Sequence, residues 1–172
     1  MLDTKSTAWQ YLSKPQQELF SEGYYLVADI KQHVPLHPIS DYSFLVFPFA
    51  KAYEGFLKKL FFDMGLIKQF EYESDHWRIG KALSPHLQKL LKKRSVYRKL
   101  VELTNSADLP ELLWRTWKHG RNLVFHYFPH NLSKLSLAEA EALITEIEQA
   151  VVASVAALEK HQPVVTAIAQ AK

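Results

Sequence analysis

Residues 40–64 read SDYSFLVFPFAKAYEGFLKKLFFDM, and this stretch decides the fold class. Tyr42, Leu45, Val46, Phe49, Tyr53, Phe56, Leu57, Leu60 and Phe61 recur at steps of mostly three and four. Because 3.6 residues complete a helical turn, that spacing gathers them into a wide apolar stripe along one side of a helix. Lys51, Glu54, Lys58 and Lys59 take much of the other face. Pro48 falls inside the pattern and is expected to kink or divide the helix, since it has no N–H to donate and its ring crowds the preceding turn. Gly65 supplies a natural stop.

The same reading extends in both directions. Upstream, Leu19, Phe20, Tyr24, Val27 and Ile30 predict a helix that follows Ser13, carries Pro15 in its first turn and ends near Gln32. His33-Val-Pro-Leu-His-Pro38 then breaks it, because proline blocks continuation twice. Downstream, Ile67–Gly80 is polar and aromatic and is expected to be a loop. Ser84-Pro85 opens a third helix that should carry a basic cluster towards Leu103. After a break at Thr104–Asp108, Asp108-Leu-Pro-Glu111 predicts an N-cap and a fourth helix reaching about Phe128, with Gly120 as its weak point. Ser136-Leu-Ala-Glu139 is a second capping box, ahead of an amphipathic fifth helix marked by Leu143, Ile144, Ile147, Val151, Val155 and Leu158. No stretch alternates as a strand does. The expectation is an all-α fold, an antiparallel bundle of about five helices in one domain over residues 1–162, with a small, apolar tail at 163–172.

Composition narrows the function classes. The 172 residues are 48% hydrophobic and 13% aromatic, enough for one real core. There is no cysteine, which excludes disulfides, thiolate catalysis and Cys-ligated zinc and fits a reducing cytoplasm. The opening MLDTKSTAWQ has neither the basic start nor the apolar run of a signal peptide, so a cytoplasmic location is expected. The apolar runs Phe44–Ala50 and Val151–Leu158 are far too short to cross a bilayer, and no membrane partner is expected. Only five glycines occur, and no Gly-rich phosphate loop, dinucleotide fingerprint, H-E-x-x-H or G-x-S-x-G is present.

Net charge is +3, and the basic residues are clustered. Lys89, Lys92, Lys93, Arg94, Arg98 and Lys99 fall within eleven positions, with Tyr97 among them. This is either a solvated helix face or a surface that tracks phosphates of RNA, with an aromatic ring for stacking.

The strongest chemical signal is Arg121-Asn122-Leu-Val-Phe-His126. Arginine grips phosphate as a planar, permanent cation, and histidine takes or gives a proton near neutral pH. An amide beside them orients a ribose hydroxyl or the guanidinium. This set suits metal-free RNA cleavage, in which the 2′-hydroxyl attacks the adjacent phosphorus. On an ideal α-helix the pair would be rotated about 140° apart and would not share a tight face, although both can border one cleft near a helix end. About 0.7 Arg-x4–6-His pairs are expected by chance in such a composition, but only about 0.01 with Asn directly after Arg. The triplet, rather than the pair, carries the signal.

The segment WKHGRNLVFH, residues 117–126, resembles the R-N-x-x-x-H motif of HEPN domains. Phe47–Leu60 is similar to the long second helix of the HEPN domain in RNase LS-type toxins. The resemblance implies a helical bundle acting as a metal-independent endoribonuclease in toxin–antitoxin or phage defence, with no cofactor. It implies Arg121 and His126 as the catalytic pair, Asn122 as their polar companion and Glu54 as an acidic neighbour. It also implies a homodimer with the two motifs meeting across a two-fold axis, and an antitoxin partner.

Other readings stand beside this one. Arg121 and His126 also suit an ion pair and a satisfied interhelical histidine. His119 and His130 are either peripheral or accessory, raising positive charge beside His126. His119, His126 and His130, at spacings of seven and four, are a rival metal set, and His33 and His37 a weaker one. Trp114 and Trp117 are core or dimer contacts, or a platform for a base. A non-catalytic helical module that binds a nucleotidyltransferase or another protein is the alternative from a different class.

Overall fold

A computed structural model describes residues 1–33, 39–126 and 134–170, with side chains described as far as residue 161. Among these residues there are nine α-helices and no strand. In chain order they are α1 (Thr7–Tyr11), α2 (Lys14–His33), α3 (Ser43–Asp63), α4 (Gln69–Glu73), α5 (Ile79–Leu83), α6 (Gln88–Leu91), α7 (Val96–Thr104), α8 (Asp108–Trp117) and α9 (Leu137–Gln170). A π-helical segment, Lys118–Leu123, continues directly from α8. Among the described residues no helix is long and apolar enough to cross a membrane.

The α3 stripe is the centre of the core. Leu45, Val46, Phe49, Phe56, Leu57, Leu60 and Phe61 are wholly buried, and Tyr53 nearly so. Pro48 does not divide α3, which runs unbroken from Ser43 to Asp63. The proline costs one hydrogen bond near the start of the helix, a small loss against the apolar surface buried on both sides of it. The far end closes as the glycine predicts. Gly65 has φ +67°, its N–H donates to Phe62 O at 2.8 Å, and Leu66 N donates to Phe61 O at 2.8 Å. These two bonds make a Schellman cap.

Helix α2 lies close against α3, for a Cβ added to Gly23 would come within 2.5 Å of the Phe49 ring. Helix α9 packs on α3 with Ile147, Ala150 and Val151 fully buried. The Tyr24 hydroxyl on α2 donates to Glu148 on α9 at 2.6 Å. The short α1 had no signal in the apolar spacing. It is held by its own details: Ser6 caps it, and Tyr11 donates to Asp63 at the end of α3 (2.6 Å).

Several expectations differ from what forms, beginning with nine α-helices among the described residues where about five were expected. The expected loop at 67–80 contains α4 and the start of α5. The expected helix from Ser84 to Leu103 is broken into 3₁₀ turns at Pro85–Leu87 and Lys92–Arg94 around the four-residue α6, and α7 starts afresh. Ser95 is the reason. It is fully buried, and its hydroxyl accepts from Arg98 N at 3.2 Å as an N-cap, while Lys92 turns the chain with φ +49°. At the start of α8, Asp108 is the first helical residue rather than the cap. Ser106 Oγ accepts from Asp108 N at 3.0 Å, and Glu111 is drawn away to accept from the Tyr97 hydroxyl at 2.5 Å. The Ser136–Glu139 capping box forms as its spacing predicts, with Ser136 N to Glu139 Oε2 at 2.8 Å and Glu139 N to Ser136 Oγ at 3.2 Å.

Candidate functional site

Glu54 projects from the polar face of α3, between the buried Tyr53 and the core residue Phe56. Tyr53 fixes α3 against α8, its hydroxyl donating to Leu113 O at 3.4 Å. Burial holds this phenol far above its usual pKa, reinforced by the charge of Glu146, so it remains a neutral donor. Glu146 on α9 anchors α8 from the other side, accepting from Arg115 Nε at 3.0 Å and Thr116 Oγ1 at 3.2 Å. The chain beyond α8 therefore leaves from a fixed point.

There the helix changes register. Over Lys118–Leu123 the backbone is π-helical, and the fourth helix ends at this segment instead of reaching Phe128, which lies outside the described residues. Gly120 is buried at its middle, where an added Cβ would stand 3.2 Å from Ile147 Cδ1. Glycine has the weakest helix preference after proline, so α-helical register is least protected at this point. The i→i+5 bonds of a π-turn make five residues span about one turn. The π-helical turns end at Leu123 and residues 124–126 lie past that end, so the 140° separation of an ideal α-helix does not hold between Arg121 and His126.

The result is that Arg121 and His126 line one cleft of about 410 Å³, with Glu54, Lys51, Ala50, Phe47 and Phe125. Arg121 Nε donates to Glu54 Oε2 at 3.3 Å, and their side chains are 38% and 42% exposed. The Phe47 and Phe125 rings meet edge-on, 5.6 Å between centroids, along this cleft. Glu54 and Arg121 also belong to a second cleft of about 420 Å³, whose wall includes Asn122, Trp114, Trp117, Arg78 and Lys81. The ion pair is thus a partition with a cleft on each side. Arg121 and His126 are on the first side together, and Asn122 is on the second.

The remaining candidates are placed as follows. His119 is half-buried and lines neither cleft. His130 and His37 lie outside the described residues. Among the described residues no cluster of three or more His, Asp or Glu side chains has a metal-holding arrangement. In the basic cluster, Lys89, Lys92, Lys93, Arg94 and Arg98 are exposed. Arg98 pairs with Glu102 at 2.7 Å, and the half-buried Lys99 donates to Leu66 O. Tyr97 is 5% exposed and gives no face to a base. Burial and its bond to Glu111, with that carboxylate's charge, push its pKa up to about 12.

Sequence reading missed Phe47 and Phe125 as walls, and it missed Lys51, Arg78 and Lys81 as cleft cations. Phe47 was legible in hindsight, since it lies off the buried stripe of α3 and is 53% exposed. Arg78 and Lys81 sit in the stretch expected to be a loop or its edge, and their spacing carried no signal. No protein-family model matches this chain, and no curated protein or solved structure matches it either.

Proposed function

We propose that this chain is a metal-independent endoribonuclease of the HEPN type, acting on single-stranded RNA as a toxin or phage-defence effector. The observation that carries the reading is the shared cleft of Arg121 and His126. A guanidinium and an imidazole bordering one water-accessible cleft are the two groups that 2′-hydroxyl attack requires. In this mechanism His126 takes the 2′-hydroxyl proton as the 2′-oxygen bonds to phosphorus. Arg121 stabilises the charge that builds on the phosphoryl oxygens. The P–O5′ bond breaks, the leaving 5′-oxygen takes a proton from solvent water, and His126 returns the proton it took to solvent. The products are a 2′,3′-cyclic phosphate and a 5′-hydroxyl. Glu54 orients Arg121 through the 3.3 Å pair.

The surface beside the cleft supports the homodimer that the resemblance implies. Phe47, Leu123 and Phe125 are each 39% or more exposed, an apolar rim of the kind self-association covers.

One observation favours the other reading, a non-catalytic binding module. Glu54 already engages the Arg121 charge, and Asn122 is turned to the opposite cleft from His126. The two readings part in one experiment: wild type and His126→Ala on total RNA and on a short labelled strand, both in EDTA. Cleavage by wild type alone, leaving cyclic phosphate ends, establishes the nuclease. Full RNA binding with no turnover by folded, partner-free protein hands the function to the binding module, and 5′-phosphate ends defeat the mechanism.

A further inference from the structure

On the far side of the Glu54–Arg121 pair, the second cleft combines groups that the nuclease reading does not use. Its wall holds two indoles, Trp114 and Trp117, stacked with centroids 5.6 Å apart and planes 20° apart. Trp117 is the fixed inner layer. It lies so close to Gly80 that an added Cβ would come within 2.1 Å of its ring. Its indole N–H is buried without an acceptor among the described residues, a state that interiors rarely leave uncorrected. Trp114 is the outer, half-buried layer, with His86 meeting it edge-on at 6.5 Å. Arg78 and Lys81 are exposed cations on the same wall, and Asn122 adds an amide. The volume of about 420 Å³ is in the range of small-molecule sites.

We propose that this cleft is a nucleobase subsite, taking one unpaired base of an RNA strand against Trp114 while an adjoining phosphate meets Arg78 and Lys81. Each part of the wall has a counterpart in such a ligand. An indole offers its face to any base, stacking being tolerant of sequence, whereas a base inside a duplex has no free face to give. Two exposed cations without a carboxylate other than Glu54 on this wall suit a phosphodiester. Arg121 borders both clefts, so a strand crossing the partition carries a phosphate past the guanidinium with one base on the Trp114 side. The inference rests on the ribonuclease reading and adds to it the contact that selects unpaired RNA.

The test is a titration of tryptophan fluorescence with a short single-stranded oligoribonucleotide carrying 2′-O-methyl groups, which binds without an attackable hydroxyl. Wild type should quench saturably. Trp114→Ala should weaken binding by about tenfold to a hundredfold, and Trp114→Phe should restore most of it. Arg78→Glu with Lys81→Glu, exposed changes that leave the core alone, should weaken binding and reduce its salt dependence. Unchanged affinity in folded Trp114→Ala overturns the subsite, and if His126→Ala still abolishes cleavage the nuclease reading survives that loss. Trp114-dependent binding without cleavage by any form keeps the subsite and removes the nuclease. Tighter binding of a free mononucleotide than of the oligonucleotide overturns the RNA assignment.

Discussion

The two sides of the candidate site are built in opposite ways. Glu54 stands on α3, flanked by Tyr53 and Phe56, and every apolar residue of that helix's stripe is buried. Across from it, Arg121 stands on a π-helical segment where Gly120 is the one buried residue, while Leu123, Phe125 and His126 are exposed. A helix that buries a whole stripe cannot slip by one residue without unpacking the core. A segment that buries little can absorb an extra residue per turn, and here the chain leaves helical geometry just past it, where Arg121 and His126 line one cleft. The contrast separates stability from the proposed chemistry: one wall sets position, and the other carries the groups proposed to react.

The largest effect should come from breaking the rigid wall. Phe49→Ala removes a wholly buried ring that meets Phe20 edge-on at 5.4 Å, and should cost about 3–5 kcal/mol in urea unfolding followed by circular dichroism. Arg121→Ala should do the reverse. Its side chain is 38% exposed, so unfolding should change by no more than about 0.5 kcal/mol. Cleavage efficiency should fall by about 10²–10³-fold, as when a charge-stabilising donor is removed. If Arg121→Ala destabilises as much as Phe49→Ala, the division between the walls is wrong.

The legible part of the molecule was the part governed by burial. The α3 stripe, the Gly65 stop, the α2 start after Ser13 and the Ser136–Glu139 box are local rules that packing left in force. Sequence reading went astray where a side chain took a partner other than the expected one. Ser95 became a cap in the middle of an expected helix, and Glu111 left its expected capping role for Tyr97. The second choice cannot be read without knowing that α7 meets α8. In the candidate site, Arg121, His126 and Glu54 were named from the sequence, and where they stand depends on a departure from α-helical geometry after Trp117 that the spacing does not predict. Gly120 was the only trace of it. Trp114 was visible as a residue, but its cleft arises from α5 packing against α8, a contact between segments some thirty positions apart.

Gly120→Ala sharpens the comparison at that point. Alanine favours regular helix by about 0.8–1 kcal/mol over glycine, while its Cβ would press Ile147 Cδ1 at 3.2 Å, so the opposing terms should leave stability within about 1 kcal/mol. A return to α-helical register would turn Arg121 relative to Glu54 and redirect the chain that leads to His126, and misplacement of groups proposed to react should slow cleavage by about tenfold to a hundredfold. Rate and denaturation midpoint measured on one preparation decide it. A stabilised variant with full activity would show that the wide turn is not what positions Arg121.

The smallest effect belongs to the clasp between the start of α3 and the residues leading into α9. Asp41 Oδ1 accepts from Ser43 N at 3.0 Å, Ser43 Oγ at 2.6 Å and Leu135 N at 3.1 Å, and Tyr42 N donates to Leu135 O at 2.9 Å. Burial alone would raise the Asp41 pKa. The bonds from Ser43 and Leu135, with the charge of Lys134, outweigh it and hold the carboxyl below its ordinary 3.8. A pKa lowered by folding means that the unfolded chain binds the proton more readily. The stabilisation is therefore complete above pH 3.8 and disappears as pH falls through the lower folded value. Asp41→Asn should cost about 1 kcal/mol at neutral pH after allowance for solvent screening, a drop of about 2–4 °C in Tm. Glu139 is also held low, by the hydroxyl and N–H of Ser136, but it titrates alike in both proteins and cancels from the difference. The gap in Tm between wild type and Asp41→Asn should thus narrow in acid. A gap that stays constant down to pH 2 would mean that the clasp works through its shape and not through its charge.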